Sequence, residues 1–213
     1  MSHPARQGQR VSDMRYGLML PSPWQHVPLG RGRRERIAEI VDEALARLPD
    51  DAPPDQVAQG RIKLTEMLET RLRAAVETGA VDFYLPTALT RGVDVRSSFL
   101  VNEVLPDASA PEGVTGQVLA RLLADDGAKP VTAGHTVWVR TEEVVDRAAD
   151  ETVSDDVSVR KVEYTTALPA DERYWYVVTF TTFGHEHPRD GLADAMVELF
   201  DAIMSTWRWL EAA

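Results

Sequence analysis

Between Arg173 and Phe183 the chain reads Arg-Tyr-Trp-Tyr-Val-Val-Thr-Phe-Thr-Thr-Phe, almost all of it β-branched or aromatic. Such residues favour the pleated backbone, and a run without polar alternation predicts a strand covered on both faces. Shortly afterwards the spacing predicts a helix over residues 192–210, ending Thr206-Trp207-Arg208-Trp209. Its stripe carries Met196, Phe200, Ile203 and Trp207, while Trp209 falls about 200° from Trp207 at about 100° per helical residue. A two-sided strand running into a helix with a broad apolar stripe marks the centre of a core.

The rest of the chain supplies what packs around that centre. Residues 16–20 read as a short strand stopped by Pro21-Ser22-Pro23, and Trp24 to Leu29 leads into a first helix at about 32–48. After the break at Pro49-Asp50-Asp51-Ala52-Pro53-Pro54 a second helix runs to about 77, with Asp55 as its cap. The two form a helical hairpin at about 32–77. Strands follow at 81–88 and 95–105, a short helix at 115–123, and a strand pair at 129–133 and 135–143. An acidic loop over 146–156 precedes a β-hairpin at 157–168 and 173–183. This succession favours α+β over a doubly wound sheet: an antiparallel β-sheet flanked by helices, an α/β/α sandwich. Residues 14–213 are expected to form one domain behind a flexible tail at 1–13.

The 213 residues carry 34 acidic and 23 basic side chains, a net charge of −11. That charge repels polyanions, so nucleic acid is not an expected partner, and a protein partner would present basic patches. There are no cysteines, which removes thiolate metal sites and thiol catalysis. No window is apolar enough to span a membrane and residues 1–15 do not read as a secretory signal, so the expected location is cytoplasmic.

Candidate chemistry is sparse. His185-Glu186-His187 places two histidines at i, i+2, and on an extended chain both would face one way and could share a metal. The remaining histidines, His3, His26 and His135, are scattered. His187-Pro188 also fits a helix N-cap followed by proline. No Gly-x-Ser-x-Gly occurs, and adjacent carboxylates such as Glu142-Glu143 face opposite ways on a strand. Arg31, Arg33, Arg34 and Arg36 crowd a helix start, where the helix dipole disfavours cations. Arg31, Arg33, Arg34 and Trp209 are the candidate partner surface. No cofactor is expected.

Two segments carry a family resemblance. Tyr16 to Trp24 gives a strand closed by Pro-x-x-Trp, and residues 174–210 give a long last strand passing to a helix with Phe200-Asp201-Ala202-Ile203-Met204-Ser205-Thr206-Trp207. Together they resemble the Mog1/PsbP-like α/β/α superfamily, and the Ala, Arg, Asp and Val content resembles that of actinobacterial proteins. The resemblance implies a non-enzymatic domain that binds partner proteins or serves as an accessory subunit, with no catalytic residues to carry over. Two other readings stand beside it. One is a metal-assisted hydrolase using His185 and His187. The other is a small apolar ligand binder with a cavity lined by Trp138, Tyr174 and Tyr176.

Overall fold

A computed structural model describes residues 15–22, 24–49, 51–88, 96–104, 114–125, 127–147, 157–169, 171–184 and 187–210. The tail at 1–13, His185 and most of the acidic loop lie outside them.

Strand β8 (Asp171–Thr182) occupies the middle of a seven-stranded sheet, as its composition requires. On one side it pairs with β4 (Ser97–Val104), which continues to β3 (Ala80–Pro86) and β2 (Trp24–Pro28). On the other it pairs with β7 (Val157–Leu168), then β6 (Thr136–Arg147) and β5 (Lys129–Ala133) at the far edge. All of these pairings are antiparallel. Tyr176, Val178 and Phe180 alternate along one face of β8 and are fully buried, while Val177, Thr179 and Thr181 on the other face are half-buried.

Helices cover both faces. Helix α4 (Gly191–Ser205) lays Met196, Phe200, Ile203 and Met204 onto the face of Phe99, Tyr164 and Phe180. Helices α1 (Arg33–Leu45) and α2 (Pro54–Glu77) pack together against the opposite face of β2 and β3, where Ile37, Ile40, Val41, Leu68 and Leu72 meet Val27 and Phe83. A third helix, α3 (Val114–Leu123), contacts β6, β7 and β8. The expected α+β sandwich is therefore the observed one, with α1 and α2 consecutive and packed on each other.

Four local expectations are corrected. Trp24 to Pro28 is an edge strand rather than a lead-in to α1, and Pro28 is tolerated because it closes that strand at the sheet edge. Asp55 lies in the first turn of α2, whose cap is Pro53. The cap of α4 is Asp190, not His187: its carboxylate accepts from the Ala193 amide at 2.8 Å.

The fourth correction concerns Trp209. Helix α4 stops at Ser205, and Thr206 turns its hydroxyl onto the Ile203 carbonyl at 2.7 Å. The chain beyond forms β9 (Arg208–Leu210), antiparallel to β1 (Arg15–Gly17), with Tyr16 opposite Trp209. Extended backbone returns side chains to one side every two residues, so Trp207 and Trp209 join one cluster instead of diverging. Their rings stand 5.2 Å apart, and Trp209 stacks on Trp138 at 6.4 Å. Trp209 is half-buried and donates its indole N–H to Thr136 at 2.8 Å.

The same cluster occupies the place where an apolar cavity was expected. Trp138 and Tyr176 are fully buried, and the Trp207 ring lies 4.9 Å from the first and 6.2 Å from the second. They pack on that indole rather than around a void. Each such aromatic pair contributes about 0.5–1.5 kcal/mol beyond the area it buries. Against this, the indole N–H groups of Trp138 and Trp207 have no hydrogen-bond partner among the described residues, and each costs about 1–3 kcal/mol.

Candidate functional site

The polar centre of the molecule lies where β1, β2 and β3 meet. In β3, Ala80-Val81-Asp82-Phe83-Tyr84 is an apolar run interrupted by one carboxylate, and Asp82 is only 3% exposed. An unpaired buried carboxylate would be expensive, so its partners define the site. The Tyr16 hydroxyl donates to Asp82 Oδ2 at 2.5 Å and lies 3.0 Å from the Tyr84 hydroxyl. On the other carboxylate oxygen, His26 Nε2 stands at 2.7 Å. Because the carboxylate accepts, it holds the imidazole proton on Nε2. The His26 ring also tilts against Tyr84, with centroids 4.9 Å apart. Burial, followed by the fields of Tyr84 and Asp82, pushes the Tyr16 phenol well above its ordinary pKa.

His26 opens onto an outer cleft of about 550 Å³ between β2 and the first turns of α1. Leu20 and Trp24 give it an apolar floor, and Gly32, Glu35 and Arg36 give it a polar wall. Arg36 is anchored there. Its Nε donates to the His26 carbonyl at 3.0 Å, Nη2 to Gln25, and Nη1 to Glu39 at 2.6 Å. The bond to His26 engages a backbone carbonyl of the sheet's edge strand, one way an exposed edge is blunted.

Three more arginines flank Gly32 in the chain. Arg31 and Arg34 are exposed and Arg33 is half-buried, and none of their side chains makes a hydrogen bond or ion pair among the described residues. Gly32, the N-cap of α1, supplies no side-chain cap, so the helix start keeps its positive end. The structure thus brings Arg31, Arg33 and Arg34 together on one turn and places Trp209 in the aromatic cluster.

His187 is exposed, and its Nδ1 accepts from the Arg189 amide at 3.1 Å. Among the described residues no three His, Asp or Glu side chains stand close enough together to hold a metal ion. A second, smaller groove of about 330 Å³ lies over β4, β7 and β8, lined by Leu100, Asn102, Lys161, Glu163, Val177 and Thr179.

The charged groups between α4 and the sheet have a structural explanation. Arg140 bonds Asp201 at 3.0 Å and Glu142 at 2.9 Å, and Arg160 bonds Glu142 at 2.8 Å and Asp194 at 2.5 Å. These pairs tie α4 to β6 and β7. Burial raises the Glu142 pKa, but the hydrogen bonds from Arg140 and Arg160 outweigh it and leave the carboxyl below its ordinary value.

Asp82, Tyr16, His26 and Tyr84 were not singled out as site residues by sequence reasoning, and Arg36 was read only as one of the arginines crowding a helix start. One signal was available: a lone carboxylate inside an otherwise apolar strand. Its partners were not, since Tyr16 and His26 lie 66 and 56 residues away along the chain.

No protein-family model matches this chain, and no curated protein does. Two solved structures are similar at low identity. LpqN, involved in cell envelope biogenesis of Mycobacterium tuberculosis, matches over 93% of this chain and 84% of its own, at 12% identity and a TM-score of 0.41. A protein of Bacteroides thetaiotaomicron VPI-5482 matches over 54% of this chain at 15% identity and a TM-score of 0.35, and the match spans 35% of its length. Both likenesses are too distant to place the chain in a family, so its own geometry carries the functional reading. No helix among the described residues is long and apolar enough to cross a membrane.

Proposed function

We propose that this protein is a cytoplasmic, non-enzymatic interaction domain, a Mog1/PsbP-like accessory subunit that docks a protein partner at the first turn of α1 and the cleft beside it. The observation that carries this reading is the set of three arginines, Arg31, Arg33 and Arg34, whose side chains have no partner among the described residues, at a helix start without a side-chain cap. Like charges crowded against the positive end of a helix repel one another and the dipole, and a complementary face on a partner relieves both. Arg31, Arg33 and Arg34 outnumber the one acidic residue of the first turn, Glu35, so this turn is locally basic although the whole chain carries −11. The partner face that fits is therefore acidic, opposite to the basic face that net charge alone favours. The neighbouring cleft adds an apolar floor at Leu20 and Trp24, where a partner side chain gains contact area.

Site-specific cross-linking tests the reading. A photoreactive residue at Arg34 should trap one discrete protein from a native extract, whereas the same residue at Val137, 62% exposed and on the distant β6, should not. Excess unlabelled protein should compete, and an Arg31→Ala, Arg33→Ala, Arg34→Ala variant should compete at least about tenfold less well. Equal competition by the triple variant refutes the arginine turn as the docking surface.

A further inference from the structure

We propose that the space filled by the Tyr16 ring is a receptor slot for a para-substituted phenol, occupied in cis by a displaceable N-terminal arm. The walls described below belong to elements other than the arm. Trp207 forms the floor, with Tyr16 stacked on it at 4.2 Å and 11°. Tyr176 of β8 closes one side edge-on at 6.2 Å. At the far end stand the Asp82 carboxylate and the Tyr84 hydroxyl, both on β3 and both within hydrogen-bond reach of the phenol oxygen. Asp82, Tyr84, Tyr176 and Trp207 are all buried, so the walls are set by the core and not by the arm.

That geometry specifies the ligand class. The aromatic floor and side take a flat ring. The buried carboxylate favours a hydroxyl donor, because a ring without one forfeits the bond that Tyr16 gives to Asp82 Oδ2 at 2.5 Å. The Tyr16 backbone marks the entrance, and it lies para to the hydroxyl. A substituent at that position can leave the slot, and this is the position through which a tyrosyl group or a 4-alkylphenol is attached.

The arm itself is weakly tied. Strand β1 has three residues, pairs with the three residues of β9, and forms no part of the seven-stranded sheet. Two-stranded ribbons of this length are marginal without further support. Their support here is Tyr16 itself, the half-buried Leu18 and Leu20, and an exposed bond from the Met19 amide to Thr206 at 2.9 Å. Beyond it the chain turns at Pro21 and Ser22, where the Trp24 amide donates to the Pro21 carbonyl at 2.8 Å. Such short elements belong to the part of a fold that opens first.

The test uses the full chain and 4-methylphenol. Tyr16→Ala empties the slot, and titration calorimetry should show saturable binding of one 4-methylphenol per chain, with toluene weaker by about tenfold or more. No binding of 4-methylphenol, or equal binding of toluene, overturns the slot. Because Tyr16→Ala can also prevent folding, hydrogen exchange on the wild-type chain gives an independent reading. Saturating 4-methylphenol should speed amide exchange in residues 15–20 and 208–210 and leave β4 and β8 unchanged. Unchanged exchange in the arm overturns its displaceability. N-acetyltyrosinamide distinguishes the source: displacement by it as well as by 4-methylphenol assigns the slot to a tyrosyl group, and displacement by 4-methylphenol alone assigns it to a free phenol.

Discussion

Gly134→Ala tests how tightly the β5–β6 turn seats the aromatic cluster. Gly134 has φ +60, and a Cβ built on it would lie 2.2 Å from the Trp207 carbonyl oxygen and 3.9 Å from the Arg208 Cα. Both obstacles are backbone, so neither can swing aside as a side chain would. Placing an L-residue in the left-handed region costs about 1–2 kcal/mol. Overpacking that displaces backbone adds about 1–3 kcal/mol. The sum is about 2–5 kcal/mol, and at about 2–4 °C per kcal/mol for a chain of this length the melting temperature should fall by about 4–20 °C.

Gly32→Ala separates the two contributions. Gly32 also has positive φ, +85, but nothing lies within 4 Å of its would-be Cβ, so it carries only the conformational cost. Urea titrations of both variants, compared at equal slope, give the steric contribution as their difference. The Trp fluorescence of Gly134→Ala should shift as well, because the obstructing carbonyl belongs to Trp207 at the centre of the cluster. A Gly134→Ala variant no less stable than Gly32→Ala would refute the close approach and with it the account of how β9 is held.

Three further outcomes follow from the polar contacts. Tyr16→Phe keeps the stack on Trp207 but removes the donor to Asp82, which should cost about 1.5–3 kcal/mol by urea denaturation at pH 7. Because the Tyr16 pKa is raised in the fold, the stability it contributes is complete below its ordinary value of 10.0 and is lost as pH rises beyond it. Tyr16→Phe should therefore have a shallower alkaline stability limb than wild type. Glu142 behaves in the opposite sense: its lowered pKa contributes stability above the ordinary value of 4.5 that disappears as pH falls through the folded value. Glu142→Gln should lose about 1 kcal/mol at pH 7 and converge with wild type as pH falls below 4.5, as read from urea midpoints across that range. Trp209→Phe should lose about 1 kcal/mol, from the indole bond to Thr136, with its ring stack retained.

What could be read from the chain alone was whatever depends on near neighbours in sequence. The helical spacing of Ile37, Ile40 and Val41, and of Leu68, Leu72 and Val76, located α1 and α2, because each stripe needs only residues a few places apart. The run of β-branched and aromatic residues from Tyr174 to Phe180 marked β8 as a covered strand, and it proved to be the middle one. The strands at 129–133 and 157–168 were likewise legible as local runs between breakers.

Tertiary structure decided the rest, through groups that are distant along the chain. Trp24 to Pro28 alternates too weakly to announce a strand, and it becomes one because β3 offers a hydrogen-bonding edge. Trp209 leaves the expected helix because β1, nearly the whole chain away, pairs with it. The Asp82 centre needs Tyr16 and His26 delivered by two other strands, and no spacing rule links residues 66 and 56 positions apart. Periodicity records which side of its own element a residue faces. Which elements share a core, and which buried charge finds a donor there, is decided only when burial forces distant segments to satisfy one another's polar groups.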